Sequence, residues 1–477
     1  MKAPFSEYLK SLKPGLKQLV SILSGHYEYV SVLASDSAGF RIIISQHAKS
    51  ISNQTLTTER GIVIRVMKDG LYSEVSLDSF DPARAEEAAA SVQKDIEQQI
   101  AMLKASGTEV YHTGRLADEP AELFAEMETV QLPEKADLQS LISDLTALSN
   151  DAMKRSSDLI DFRIAAQSTH ICKLFLTAHR DLAESYVYSE GAVAPIGVRG
   201  QRNEMSYQAV SGLAGPELFA QLKDHALESI RIVEELLSAD RIVPGEYDII
   251  TSPEVSGLIA HEAFGHGVEM DMFVKNRALG KEYIGRRVGS DRVTMHEGAR
   301  CAVNVTSYAF DDEGVMAGDV TEIDHGILKT GICDALSAAR LGIQPTGNGK
   351  RENFEHKAYT RMTNTIFDSG TDRLEDMIAS IQHGYLLRGM QSGMEDPKHW
   401  GIQCIIERGY EIRDGKLTGK VVTPIVMTGY VPDLLGSVSM VSGDREVFGS
   451  GACGKGHKEW VKVADGGPYL KAKARLG

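Results

Sequence analysis

The chain has 477 residues, enough for two or three domains with full hydrophobic cores. Hydrophobic residues make up 42% and charged residues 25%, a globular balance that excludes a disordered chain. Lysine and arginine number 51 against 66 acidic residues, and the resulting −15 argues against a broad nucleic-acid footprint.

The first twenty residues carry Lys2, Lys10, Lys13 and Lys17 and are interrupted by Pro14, which does not fit a secretory signal. No run of about 18 apolar residues occurs, so no membrane span is expected. The five cysteines are few, odd in number and widely spread. That pattern fits a reduced, cytoplasmic setting better than a disulfide scaffold. Neither nucleic acid nor membrane is expected as a partner.

Taken in chain order, residues 5–24 read as a helix pair broken at Pro14-Gly15. HYEYVSVLAS and RIIIS read as strands on either side of a Ser-Ala-Gly turn at 37–39. GIVIRVM and LYSEVSL flank Lys68-Asp69-Gly70, a hairpin signal because Asp-Gly tolerates positive φ. Residues 81–106 predict an amphipathic helix opened by Asp81-Pro82, and a second helix follows a polar connection, over roughly 136–157. The stretch 160–210 returns to period two and predicts an antiparallel meander. A helix over about 216–238 precedes Pro244-Gly245, a plausible boundary. EYDIITS then reads as a strand and PEVSGLIAHEAFGH as a helix opened by Ser252-Pro253; the remainder reads as short strands between glycine-rich turns. The fold class expected is α+β without βαβ alternation. It has a mixed N-terminal region with antiparallel sheets and long helices over 1–240, divisible into about 1–110 and 111–240. A β-rich C-terminal region, 241–477, carries the HExxxH helix.

HEAFGHGVEMD at 261–271 is the most informative segment. It offers two imidazoles, His261 and His266, with Glu262 directly after the first. Zinc favours imidazole nitrogen, and a hydrolytic site needs about three protein ligands and an open position. A carboxylate that is not a ligand can take a proton from water attacking a carbonyl. The spacing is unusual, because the familiar string is HExxH. Five residues at about 100° each place the second histidine about 140° round the helix from the first. Either the helix carries a one-residue bulge or it ends between the two histidines, and Gly265 lowers the cost of that distortion. A third ligand must come from Glu269, Asp271, another histidine or a cysteine. Cys453 stands apart from the other four cysteines because it lies in the glycine-rich GSGACGKGHKEW.

LIAHEAFGHGVEMD at 258–271, GNGKRENFEHKAYTRMTNTIF at 347–367 and GSGACGKG at 449–456 together resemble the TldD/PmbA peptidases, in particular the metal-bearing TldD-type subunit. The resemblance implies zinc (Zn2+) held by His261, His266 and Cys453, with Glu262 as general base. It implies a metallopeptidase acting on unfolded or short peptides, including modified precursors, and a homodimer or a heterodimer with a PmbA-type (TldE) subunit. Where the family string often has a small aliphatic residue and a glycine, this chain has Phe264 and Met270, swaps expected to narrow the pocket. Two alternatives accompany this reading: a non-catalytic peptide-binding or structural zinc subunit, and a zinc amidase on modified peptides.

Other residues have weaker claims. Arg361, Thr363 and Asn364 of RMTNT are candidates for contact with substrate backbone or, equally, for structural hydrogen bonds. Glu269 and Asp271 are candidates for orienting the ligand histidines. His457, four residues after Cys453, is the one scattered histidine worth testing. GSGACGKG nearly spells a phosphate-binding loop but fails at Gly456, where a hydroxyl is needed. HEAFGH also satisfies the HExxGH string of dipeptidyl peptidase III, yet no acidic helix motif of that family follows.

Overall fold

The structure, a computed structural model, describes residues 1–108, 110–455 and 459–477. It begins with one continuous helix, Glu7–Ser24, capped by Ser6, whose hydroxyl accepts from the Leu9 amide. The expected pair of helices is thereby corrected to one. Proline in a helix interior costs about 3 kcal/mol. Against that, Leu9, Leu12, Leu16, Leu19 and Leu23 are at most 3% exposed along one face, each worth about 2 kcal/mol. The apolar stripe wins. Gly15 is a packing site, since a Cβ there would lie 2.5 Å from the Pro82 Cα.

A second correction concerns 37–39, where no turn occurs. Tyr29–Ile44 is a single strand that runs straight through Ser37, Ala38 and Gly39. All three stay in register with Ile171, His170 and Thr169 of the neighbouring strand. Gly39 marks close approach, because its missing Cβ would lie 2.3 Å from the Ser168 carbonyl oxygen. The hairpin at Asp69-Gly70 forms as the sequence predicts. Arg60–Lys68 pairs with Leu71–Leu77, and both loop residues have positive φ, 54° and 77°.

These strands belong to a nine-stranded sheet in which Tyr29–Ile44, Leu159–Leu176 and Arg180–Arg199 lie side by side. Helices Glu7–Ser24 and Ala85–Ala105 pack on it through Leu16, Val92 and Ile96. Helices Leu138–Met153 and Leu222–Ser238 pack through Leu145, Ile230 and Val233. Arg202–Met205 and Gln208–Gly212 fold back along Arg180–Arg199.

The second sheet has eleven strands. Within it Gly245–Thr251, His383–Asp396, Gly401–Arg413, Ile425–Tyr430 and Ala464–Leu476 close into a five-stranded barrel. Three of these strands have 13 or 14 residues, so the expectation of short strands fails for them and holds for the others, such as those between Met295 and Phe367 and the pair Ala452–Lys455 and Glu459–Lys462. Closure is the physical reason, since it satisfies both edges of every strand without frequent turns. The overall class is α+β, predominantly antiparallel, with parallel pairs such as Gly245–Thr251 beside His383–Asp396. The barrel core includes Ile249, Leu387, Trp400, Ile406 and Met427, all fully buried. Among the described residues no helix is long and apolar enough to cross a membrane.

Candidate metal centre

The chain leaves the barrel strand Gly245–Thr251 and turns at once into the helix Pro253–Leu258. From Ile259 to Phe264 that helix widens to π geometry, and Gly265–Val268 then tightens to 3₁₀. A π turn bonds residue i to i+5, so positions five apart stack on one face. This brings His261 and His266 together, with ring centroids 5.3 Å apart and planes at 83°. Gly265 serves differently from the expectation. Its φ is an ordinary helical −57°, and what it provides is space, since a Cβ there would lie 2.3 Å from the Met362 sulfur.

Cys453 arrives on the strand Ala452–Lys455, which pairs with Glu459–Lys462. Its Sγ lies 3.3 Å from His266 Nε2. Ligand-capable atoms of His261, His266 and Cys453 all fall within 4.8 Å of one another. His261 is 2% exposed, and neither ring nitrogen has a hydrogen-bond partner among the described residues. A buried imidazole without partners is costly unless something occupies it. Burial alone raises the Cys453 thiol, but the His266 and His261 imidazoles outweigh burial and bring it down to about 4. The donor set is thus a thiolate beside two imidazoles, which suits a borderline divalent metal such as zinc.

Glu262 points at the same space, its carboxylate 3.7 Å from His266 Nε2 and 4.0 Å from His261 Nε2. Burial raises its pKa above the ordinary carboxylate value, against the lowering pull of the imidazoles. Together with His261 and Cys453 it lines a groove of about 820 Å³, whose walls also include Glu204, Tyr207 and His225. That volume suits a peptide segment.

Behind the imidazoles the support is polar and buried. Glu269, 1% exposed, accepts from His266 Nδ1 at 3.0 Å and meets Lys455 Nζ at 3.1 Å. Burial raises its carboxyl, but Lys455 and His266 hold it down at about 2. Asp271 does not reach either histidine; it holds Lys455 at 2.8 Å. Arg361, Thr363 and Asn364 are 1%, 0% and 0% exposed and do not line the groove, which favours the structural of their two expected roles. Arg361 donates to the carbonyls of Cys453 at 2.6 Å and Glu459 at 2.8 Å, one on each strand of the ligand hairpin. Thr363 donates from its amide and hydroxyl to Glu297, and the Asn364 amide donates to the Gly298 carbonyl. Phe264 packs on Trp400 at 5.9 Å and Met270 is 7% exposed, so neither narrows the groove. His457 and Gly456 lie outside the described residues. The GSGACGKG segment supplies a hairpin strand, where a phosphate-binding loop would lead into a helix.

Residues 244–473 match the family described as PmbA/TldA metallopeptidase C-terminal domain. That match lies in the C-terminal part of the chain and spans a little under half of it. A metalloprotease of Methanocaldococcus jannaschii is 34% identical over 54% of this chain and 57% of its own length. A protein of Saccharolobus solfataricus named zinc metalloprotease TldD homolog is 32% identical over 48% of this chain and 51% of its own length. The chain thus spans about half the length of these relatives. TldE from Thermococcus kodakarensis has the same fold, with a TM-score of 0.76 at 17% identity, covering 97% of this chain and all of that one.

Two contributors to this site escaped the reading of the sequence. Lys455 is one, although Cys453 and Lys455 share a strand face by the period of two. The other is Glu395, which accepts from the Gly267 amide at 2.9 Å and pins the loop after His266. No local pattern marks Glu395, which lies 128 positions from that glycine.

Proposed function

We propose that this chain is the metal-bearing subunit of a zinc-dependent peptidase. His261, His266 and Cys453 are the ligands in this reading and Glu262 is the general base. The observation that carries it is the convergence of the three donors beside Glu262, with His261, Glu262 and Cys453 opening onto one groove. When bound there, zinc supplies Lewis acidity toward a peptide carbonyl and toward the attacking water.

The remaining steps fall to the chain itself. The groove holds an extended peptide with its carbonyl at the triad. Glu262 takes a proton from the attacking water on a carboxylate oxygen and passes it to the amine nitrogen as the C–N bond breaks. Its burial supports this role, because a carboxylate whose pKa is raised is a stronger base and takes a proton from water more readily. Glu269 fixes the His266 ring through Nδ1, leaving Nε2 toward Cys453 and Glu262. Arg361 fixes the backbone that presents the thiolate.

A closed structural zinc site needs no adjacent base and no groove, which favours catalysis over a purely structural role. Unfolded or short peptides are the substrates proposed, including modified precursors. The fold shared with TldE supports pairing with a subunit of that kind or with a second copy. A thiolate ligand favours the reducing cytoplasm. The test is Glu262→Ala, which should retain zinc and lose cleavage of an unstructured peptide; full activity in that variant rules out the mechanism.

A further inference from the structure

The charge on the groove is uneven. Seven carboxylates line it against two guanidinium groups. Arg408 is engaged by its neighbour Glu407, and Arg388 donates to the Tyr469 hydroxyl at 2.9 Å. Glu228 is matched by Arg231, which lies outside the groove. Among the described residues Glu204, Glu254 and Glu446 have no salt-bridge partner. They sit on separate elements: Glu204 on Arg202–Met205, Glu254 at the start of the helix leading to His261, and Glu446 on Met440–Phe448. The negative field therefore comes from more than one wall. Deeper in, Asp465 is 8% exposed and its Oδ1 lacks any partner among the described residues. It is a buried acceptor waiting for a donor.

We propose, building on the peptidase reading, that this groove selects peptides bearing a positive charge near the scissile bond. A concave groove lined mainly by one sign of charge focuses its field and concentrates the opposite charge. The carboxylates also crowd one another: burial and then the like charge of Glu254 raise the Glu446 carboxyl. A lysine or arginine side chain relieves that repulsion, whereas an acidic side chain adds to it. The same relief is available from a free α-ammonium group, so the chemistry selected is an organic cation within a few residues of the cut.

The experiment uses fluorescent hexapeptides that differ at one central position, Lys, Gln or Glu, each N-acetylated, plus the Gln peptide with a free amino terminus. Binding is measured by anisotropy to zinc-loaded Glu262→Ala protein, and cleavage with the unmodified protein. The acetylated Lys peptide should bind about tenfold tighter than the Glu peptide at low salt, with the gap shrinking as salt rises. Glu204→Gln combined with Glu446→Gln should reduce that gap to about threefold or less. A gain seen instead with the free-amine Gln peptide assigns the selected cation to the chain terminus. Equal binding of all four peptides overturns the inference. Charge-selective binding without any cleavage overturns the peptidase reading alone, and equal cleavage of all four overturns charge selection alone.

Discussion

Replacing Arg361 with methionine should loosen the metal without touching any ligand. The guanidinium is 1% exposed and donates to the backbone carbonyls of Cys453 and Glu459 at 2.6 and 2.8 Å. Methionine fills much of the volume but leaves two buried acceptors unsatisfied, at about 1–3 kcal/mol each. That is about 2–6 kcal/mol of local destabilisation in the hairpin that presents the thiolate. Supporting residues of this kind typically change metal affinity about 10–100-fold. Arg361→Lys should recover part of the loss, because an ammonium can reach one of the two carbonyls. Zinc affinity is read by competition with a chromophoric chelator, and thermal unfolding is followed with and without zinc. Stabilisation by zinc should be smaller in Arg361→Met than in the unmodified protein. Unmodified zinc affinity in Arg361→Met would refute it.

Three further outcomes are expected. Glu269→Gln keeps the shape but removes the charge shared by His266 and Lys455, so chelator competition should show zinc held about tenfold more weakly. Gly265→Ala forces a Cβ to within 2.3 Å of the Met362 sulfur, and denaturant unfolding should show a loss of about 1–3 kcal/mol, partly restored by Met362→Ala. His296 lies between Asp368 and Asp319, and the Asp368 hydrogen bond leads in raising its pKa to about 9. A raised histidine contributes fully below its unfolded value of about 6.5 and loses that contribution as pH climbs through about 9. Both carboxylates are well exposed, so the contribution is screened to about 1 kcal/mol. Unfolding free energy should therefore fall by that amount between pH 6.5 and 9.5, and His296→Asn should lack the decline.

How far the sequence spoke for the structure depended on whether the physics was local. The spacing of His261 and His266 could not be met by a regular helix, and the π segment Ile259–Phe264 is the distortion it called for. Asp69-Gly70 was equally readable, because two residues decide that turn. Pro14-Gly15 and Ser37-Ala38-Gly39 misled for one reason. Each looks like a break, yet Gly15 faces Pro82 and Gly39 faces Ser168, partners that lie 67 and 129 positions away. Barrel closure was hidden in the same way, since Gly245–Thr251 pairs with Ala464–Leu476 at the far end of the chain. Arg361 stayed open between substrate contact and a structural role, because an arginine near Thr-Asn-Thr reads equally as a polar surface or a buried donor. Only the fold reveals that the guanidinium is sealed beneath the Cys453 hairpin.

The central claim is that a thiolate and two imidazoles from His261, His266 and Cys453 hold one metal ion. Zinc-edge X-ray absorption on the purified, zinc-loaded protein tests it most directly. The account predicts one zinc per chain with a single sulfur neighbour at about 2.3 Å and imidazole nitrogens at about 2.0 Å. The sulfur neighbour should vanish in Cys453→Ser. A zinc ion with no sulfur neighbour in the unmodified protein would contradict the account.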